Sequence, residues 1–174
     1  LERKETQYVI AGFAQDPDAD RLAIVDERGG FIGEEYTLVL AALAALEGER
    51  RRDAGAGLAL AVNLSTSRMI GDVAGPLGAA VTRTSVGEAN VVEAMKREGM
   101  VYGGEGNGGV IWPRVAYVRD SLSGMALVLW LMARTGATIS ELVKTVPAYA
   151  IEKRKVALAR REDAAAAVER IASA

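Results

Sequence analysis

Asp16, Asp18 and Asp20 stand on alternate residues of the stretch Ala14-Gln15-Asp16-Pro17-Asp18-Ala19-Asp20-Arg21. Carboxylates so close together repel one another unless a counter-charge is present. A hard divalent cation supplies it: Mg²⁺ and Ca²⁺ take oxygen ligands, and Mg²⁺ keeps positions open for water or a substrate phosphate. Pro17 restricts the backbone and so lowers the entropy lost when the ligands converge. Arg21 follows at once, with a planar guanidinium suited to bidentate contact with phosphate. The second concentration is Tyr102-Gly103-Gly104-Glu105-Gly106-Asn107-Gly108-Gly109-Val110. Its glycines let the backbone come close to a ligand, while Glu105 and Asn107 offer a carboxylate and an amide fit for sugar hydroxyls. A flexible hairpin turn has the same composition. It is not a P-loop, because no Gly-Lys-Ser/Thr follows.

The acidic run taken by itself admits several readings. An EF-hand has alternating acids and an acidic twelfth position, here Glu27, but needs glycine where Arg21 stands and helices where the flanks read as strands. A haloacid-dehalogenase-like phosphatase also places two alternating aspartates after an apolar strand, with Asp16 as nucleophile, although Thr or Val is usual in the place of Asp20. A solvated acidic turn is the plain alternative.

Absences narrow the chemistry. The 174 residues include no Cys and no His, which excludes thiolate and imidazole metal sites, a Ser-His-Asp triad and a disulfide framework. Lys and Arg number 21 against 23 Asp and Glu, and the rings are two Phe, two Trp and five Tyr, so neither a basic footprint nor a stacking platform for nucleic acid is present. The apolar run from Gly124 to Ala133 is too short to span a bilayer, and it reads as a buried helix. With no signal peptide and no initiator Met, the expectation is a cytoplasmic protein seen from partway along its chain.

Strands are expected at Tyr8 to Ala14 and Leu22 to Val25, around the acidic run, followed by a helix from Glu34 to about Leu46. The charged stretch Glu47 to Asp53 and the glycines after it are read as a boundary between two units, with Arg50, Arg51 and Arg52 in a solvated linker. Beyond it, strands are expected at Leu58–Leu64, Ala79–Thr84 and Met100–Tyr102, then an apolar Val110–Trp112. Helices alternate with them at Thr66–Ala74, Glu88–Glu98, Asp120–Ala133 and Ser140–Val146. In the pair Arg119-Asp120, Asp120 reads as a helix N-cap, and contact of the pair with a ligand is the alternative. A strand-like Lys155–Leu158 and a helix at Glu162–Ile171 close the chain. The alternation predicts an α/β fold with a mixed, largely parallel sheet layered with helices.

In order and spacing the two loops, together with Thr84-Ser85-Val86-Gly87-Glu88 and Arg119-Asp120, resemble the α-D-phosphohexomutase superfamily: phosphoglucomutases, phosphomannomutases and phosphoglucosamine mutases. The resemblance runs from about Tyr8 to Val156. It implies that Asp16, Asp18 and Asp20 hold Mg²⁺, with a phosphoserine as the fourth ligand, and that Arg21 lies beside the phosphoryl group. It also implies that Glu105 and Asn107, with Gly106 and Gly108, bind the sugar of a hexose phosphate whose phosphoryl moves between C6 and C1 through a bisphosphate. Gly109 stands where many members carry His, Asn107 where many carry Ser, and Glu88 where some carry a basic or imidazole residue. The family's Ser-His-Asn-Pro nucleophile segment and its Arg-x-Ser-Gly-Thr phosphate loop do not occur in this chain. The expected division is therefore the end of a second domain over 1–53, a third domain over 54–150 and a linker over 151–174, with N-terminal and C-terminal domains as missing partners and no mutase activity in this polypeptide alone. A metal- or sugar-phosphate-binding module without catalysis is the alternative outside the mutases, and the phosphatase is the other enzyme.

Overall fold

A computed structural model describes residues 9–150, 157, 160 and 162–173. Short, partly β-branched runs flank the acidic stretch, and Gly12–Gln15 (β1) pairs antiparallel with Leu22–Val25 (β2). The Asp16–Asp20 run is thus the turn of a two-stranded ribbon. Among the described residues β1 starts at Gly12, because β2 offers only four partners; Val9 and Ile10 lie exposed ahead of it, and Tyr8 lies outside the described residues.

Glu34–Arg52 forms α1, with Glu34 and Glu35 in its first turn and Arg50, Arg51 and Arg52 in its last, where each sign complements the helix dipole. The helix runs past Leu46 because Glu and Arg are good helix formers and because its charged end finds partners. Arg114 Nη2 donates to Glu49 Oε2 at 2.8 Å. Arg50 donates to the carbonyls of Ala54 (3.1 Å) and Leu77. Arg50 is therefore a clasp between two segments, while Arg51 and Arg52 are exposed. Buried side chains on both sides of the charged stretch, Leu38 to Leu46 and Leu58 to Val146, share one core.

Ala59–Asn63 (β3), Ala80–Thr84 (β4), Tyr102–Glu105 (β5) and Gly109–Ile111 (β6) form a sheet in the order β4-β3-β5-β6. β3 runs parallel to β4 and β5, and β6 is antiparallel to β5, the mixed and largely parallel sheet that the alternation predicts. Met69–Ala74 (α2) and Glu88–Glu98 (α3) make the crossovers. Ser121–Thr135 (α4) packs on α1, and Ile139–Lys144 (α5) and Asp163–Ala172 (α6) follow. The strand period separates the layers: Leu60 and Val62 face the core with α1 and α4, whereas Ala61 joins Val91, Ala94 and Met95 of α3 on the other face. Tyr102, fully buried, locks sheet to helix by donating its hydroxyl to the Leu38 carbonyl at 2.7 Å.

Two expected segments are shorter than drawn. Residues 66–68 are a turn rather than the start of α2, because Asn63 Oδ1 accepts from Ser65 N, Ser65 Oγ and Thr66 Oγ1 and folds the chain back. The glycine loop shrinks to Gly106–Gly108, since Gly103, Gly104 and Gly109 are strand residues. Lys155–Leu158 lies outside the described residues apart from Ala157. No helix among the described residues is long and apolar enough to cross a membrane.

Candidate functional site

Parallel strands deliver their C-terminal residues to one edge of a sheet, and ligands of α/β folds bind at that edge. Here the edge carries Asn63 at the end of β3, Gly87 and Glu88 just after β4, and Glu105 at the end of β5. The β1–β2 turn is brought against it by a backbone bond, Leu22 N to Gly108 O at 3.2 Å. Between them lies a cleft of about 570 Å³ lined by Glu34, Glu35, Asn63, Glu88, Glu105 and Asn107, with Arg21 and Arg119 as its cations.

The acidic turn is built around Asp16. Its Oδ1 accepts from the backbone N–H of Asp20 and of Arg21, both at 3.2 Å, and its Oδ2 accepts from Arg21 Nε at 2.6 Å. Desolvation pushes this carboxyl up, but the Arg21 hydrogen bonds and charge outweigh it and hold Asp16 below the ordinary range. Ala19 takes the left-handed conformation (φ 58°), an uncommon one for a residue with a side chain. Its carbonyl is held by Ser121 at the start of α4, from Oγ at 2.7 Å and from N at 3.3 Å. The turn is thereby fixed to α4, whose N-cap is Asp120, accepting from Leu122 N and Ser123 N.

Asp16, Asp18 and Asp20 each present a carboxylate oxygen within 4.8 Å of the others. Asp20 is the telling member: its Oδ1 is buried and has no hydrogen-bond partner. Desolvation raises its pKa, the charge of Arg119 opposes, and Asp16 and Asp18 add to the rise, so the net shift is upward. A buried acceptor with no hydrogen bond, its ion pair to Arg21 Nε stretched to 3.6 Å, and two more carboxylates beside it fit a hard cation with oxygen ligands.

Glu105 is almost fully buried and fixed at both oxygens. Oε1 accepts from Asn63 Nδ2 (2.7 Å) and Gly87 N (3.3 Å), and Oε2 from Arg119 Nη1 (2.6 Å). Asn107 spends its Oδ1 on Gly109 N at 3.2 Å, closing the hairpin, and still borders the cleft beside Arg21. Gly106 N donates to Thr66 Oγ1 at 3.2 Å, and a Cβ at Gly106 would collide with the Glu35 carboxylate. Gly108 is a required glycine: its φ is +86°, and a Cβ there would sit 2.6 Å from the Leu22 carbonyl oxygen.

Arg119 joins the two loops. It donates from Nη2 to Asp20 Oδ2 and from Nη1 to Glu105. Its backbone N donates to Glu88 Oε1 at 2.8 Å, and its Nε lies 3.3 Å from Glu88 Oε2. Glu88 and Arg119 belong to stretches that the sequence already singles out, Thr84 to Glu88 and Arg119-Asp120, whereas Asn63 has no motif of its own. A polar residue closing the apolar run Leu58–Val62 is the one signal that could have marked Asn63, because that is where a buried parallel strand meets its cleft. Lys96 lies apart from this site, 5.1 Å from the Tyr117 ring centre, and Arg83 donates to the carbonyls of Thr66 and Ser67.

The ribbon has a second anchor away from the cleft. Glu27 accepts from Ser140 Oγ at 2.6 Å and Ser140 N at 3.2 Å, which draws its pKa down to about 2 against a partial desolvation.

The site thus sets an acidic turn beside a buried carboxylate at the edge of an α/β sheet. Residues 34–149 match the family phosphoglucomutase/phosphomannomutase, alpha/beta/alpha domain III. The chain belongs to this family, whose members are phosphohexose mutases. It is 40% identical over 138 residues to the phosphoglucomutase/phosphomannomutase of Thermococcus kodakarensis, an alignment covering 79% of this chain and 29% of that protein. Among solved structures it superposes on a putative phosphomannomutase of Thermus thermophilus with TM-score 0.66 and 29% identity, over 81% of this chain and 31% of that one. It shares its fold with the N-acetylphosphoglucosamine mutase of Aspergillus fumigatus solved with GlcNAc-6P and magnesium (TM-score 0.60, 18% identity, 84% and 34% coverage). The chain thus spans about three tenths of the length of the relatives it matches.

Proposed function

We propose that this chain is the portion of a phosphohexomutase that holds Mg²⁺ and reads the hexose ring during phosphoryl transfer between C1 and C6. The observation that carries the reading is the meeting of Asp20 and Glu105, from loops far apart in sequence, on the guanidinium of Arg119 at one cleft. In this reading residues up to 33 are the end of a preceding domain with its metal loop. Domain III begins at Glu34, where the family match starts, so that α1 and the charged stretch at 47–53 fall inside it, while Leu22 and Ile24 of the ribbon pack into the same core.

Asp16, Asp18 and Asp20 would hold the cation, which when bound supplies positive charge to neutralise a transferring phosphoryl group. Arg21, oriented by Asp16, presents its guanidinium to the same phosphoryl group. Glu105 is held rigid by three donors, so it accepts a sugar hydroxyl at fixed geometry, and Asn107 offers its amide NH₂ at the cleft's rim. Four carboxylates, of Glu34, Glu35, Glu88 and Glu105, face two guanidinium groups in the cleft, so its own field opposes a phosphate. The distal phosphate and the nucleophilic phosphoserine accordingly come from partner domains of the longer enzyme. The antiparallel ribbon around Asp16 argues against the EF-hand, which requires helical flanks. The clamping of Asp16 by Arg21 argues against a free aspartyl nucleophile.

Calorimetric titration of the chain with MgCl₂ tests the reading. Binding that is lost in Asp18→Asn, an exposed position outside the core, supports it; binding unchanged in that variant refutes it. The chain alone, given a hexose phosphate and a hexose 1,6-bisphosphate primer, is expected to show no interconversion.

A further inference from the structure

Arg119 is confined. A Cβ on Gly109 would strike its Cδ, so the arm lies flat against β6, and Arg119 bridges to Ile111 through the backbone. Its side chain is only about one-fifth exposed, and three carboxylates from three segments, Asp20, Glu88 and Glu105, surround the head group. One positive charge is therefore divided among three negative ones, and it cannot swing out to solvent when that division changes. Asp20 contributes Oδ2 to Arg119, while Oδ1 has no hydrogen bond and only Arg21 Nε at 3.6 Å, so a cation taken at Oδ1 does not displace the Arg119 guanidinium. It does withdraw the charge that attracts it. The pull of Glu105 and Glu88 then gains weight, and the Nη1 bond to Glu105 tightens.

We propose that Arg119 is a positioning residue that couples the two loops, so that a divalent cation bound by Asp16, Asp18 and Asp20 resets the hydrogen bonding of Glu105 through one shared guanidinium. The inference rests on the metal reading of the preceding subsection. A forked head group suits this, because Nη1 and Nη2 diverge from one carbon and each keeps its own carboxylate, whereas a lysine ammonium has a shorter reach and must serve both from one nitrogen. The coupling makes cation uptake and hydroxyl recognition mutually dependent: each ligand changes the affinity of the other by the same factor.

The backbone bond from Leu22 to Gly108 is a second route between the loops, so the test must separate the two. Two groups report on Glu105 without belonging to the acidic turn: the Gly87 amide and the Asn63 side-chain amide, both donors to its Oε1. In an NMR titration of the 174-residue chain with MgCl₂, both are expected to shift with the same midpoint as the Asp18 amide. In Arg119→Lys the Asp18 amide still titrates, while the Gly87 and Asn63 shifts fall at least threefold. Full-sized shifts in that variant, or none in the wild type while Asp18 responds, overturn the coupling. No response at Asp18 in the wild type overturns the metal reading and the coupling with it. Should Arg119→Lys fail to fold or to bind, Glu105→Gln cuts the same path at its other end. A shrunken Gly87 response there supports the proposal, and an undiminished one overturns it.

Discussion

Replacing Gly108 by alanine probes the seam between the acidic turn and the sheet edge, and Gly29 supplies its control. Both glycines are left-handed, at φ +86° and +83°, but Gly29 has no atom within 4 Å of where a Cβ would be. Gly29→Ala therefore loses only the conformational term, about 1 kcal/mol. At Gly108 the added methyl meets the Leu22 carbonyl oxygen at 2.6 Å and its nitrogen at 3.3 Å, both backbone atoms of a residue only 1% exposed. The seam must open, and the 3.2 Å bond from Leu22 N to Gly108 O is lost with it. An orphaned buried N–H adds roughly 1–3 kcal/mol, for a total of about 2–4 kcal/mol. At roughly 2–4 °C per kcal/mol for a chain of this size, scanning calorimetry should show a Tm drop of about 5–15 °C for Gly108→Ala. The Gly29→Ala drop should be about 2–4 °C on the same scale. Equal losses in the two variants would mean that the loops are not packed backbone to backbone, and the cleft as described would not exist.

Two further outcomes follow from local contacts. Asp120→Ala removes the α4 N-cap and the partner of Ser123 Oγ, and urea denaturation should report a loss of about 1–2 kcal/mol that Asp120→Asn largely restores. Glu27, with a folded pKa of about 2 against an ordinary 4.5, contributes stability that is complete above pH 4.5 and fades as pH falls toward 2. The gap in urea midpoint between wild type and Glu27→Gln should accordingly be present at pH 7 and close progressively below pH 4.5; a gap independent of pH would refute the Ser140 contact as its source.

Much of this was legible in the residues because it depended on local chemistry. Alternating apolar runs and helix-length segments announce the α/β layering, and Asp120 before an apolar helix announces its cap. Asp16, Asp18 and Asp20 betray an unbalanced charge wherever they sit. Helix α1 was harder, since the run from Glu47 to Asp53 looks like solvent-facing punctuation. Its partners, Arg114 for Glu49 and the Leu77 carbonyl for Arg50, lie far along the chain. The glycines at 103, 104 and 109 looked like loop for a related reason. They are small because Met95, Leu38 and Arg119 press against them, and sequence cannot show what presses.

The sequence alone determined which groups were available: with no Cys or His, any chemistry was left to carboxylates, Lys, Arg, hydroxyls, backbone amides or a hard metal, and a divalent cation was the partner expected for the acidic run. Residue type sets a group's chemistry before the chain folds. Tertiary structure decided which of those groups meet. Three strand ends at one sheet edge bring Asn63, Glu88 and Glu105 together, and a hairpin turn against that edge adds Asp20. Arg119, visible in the sequence only as half of a charged pair, becomes the shared counter-charge because the field at a point is set by neighbours in space and not by neighbours along the chain.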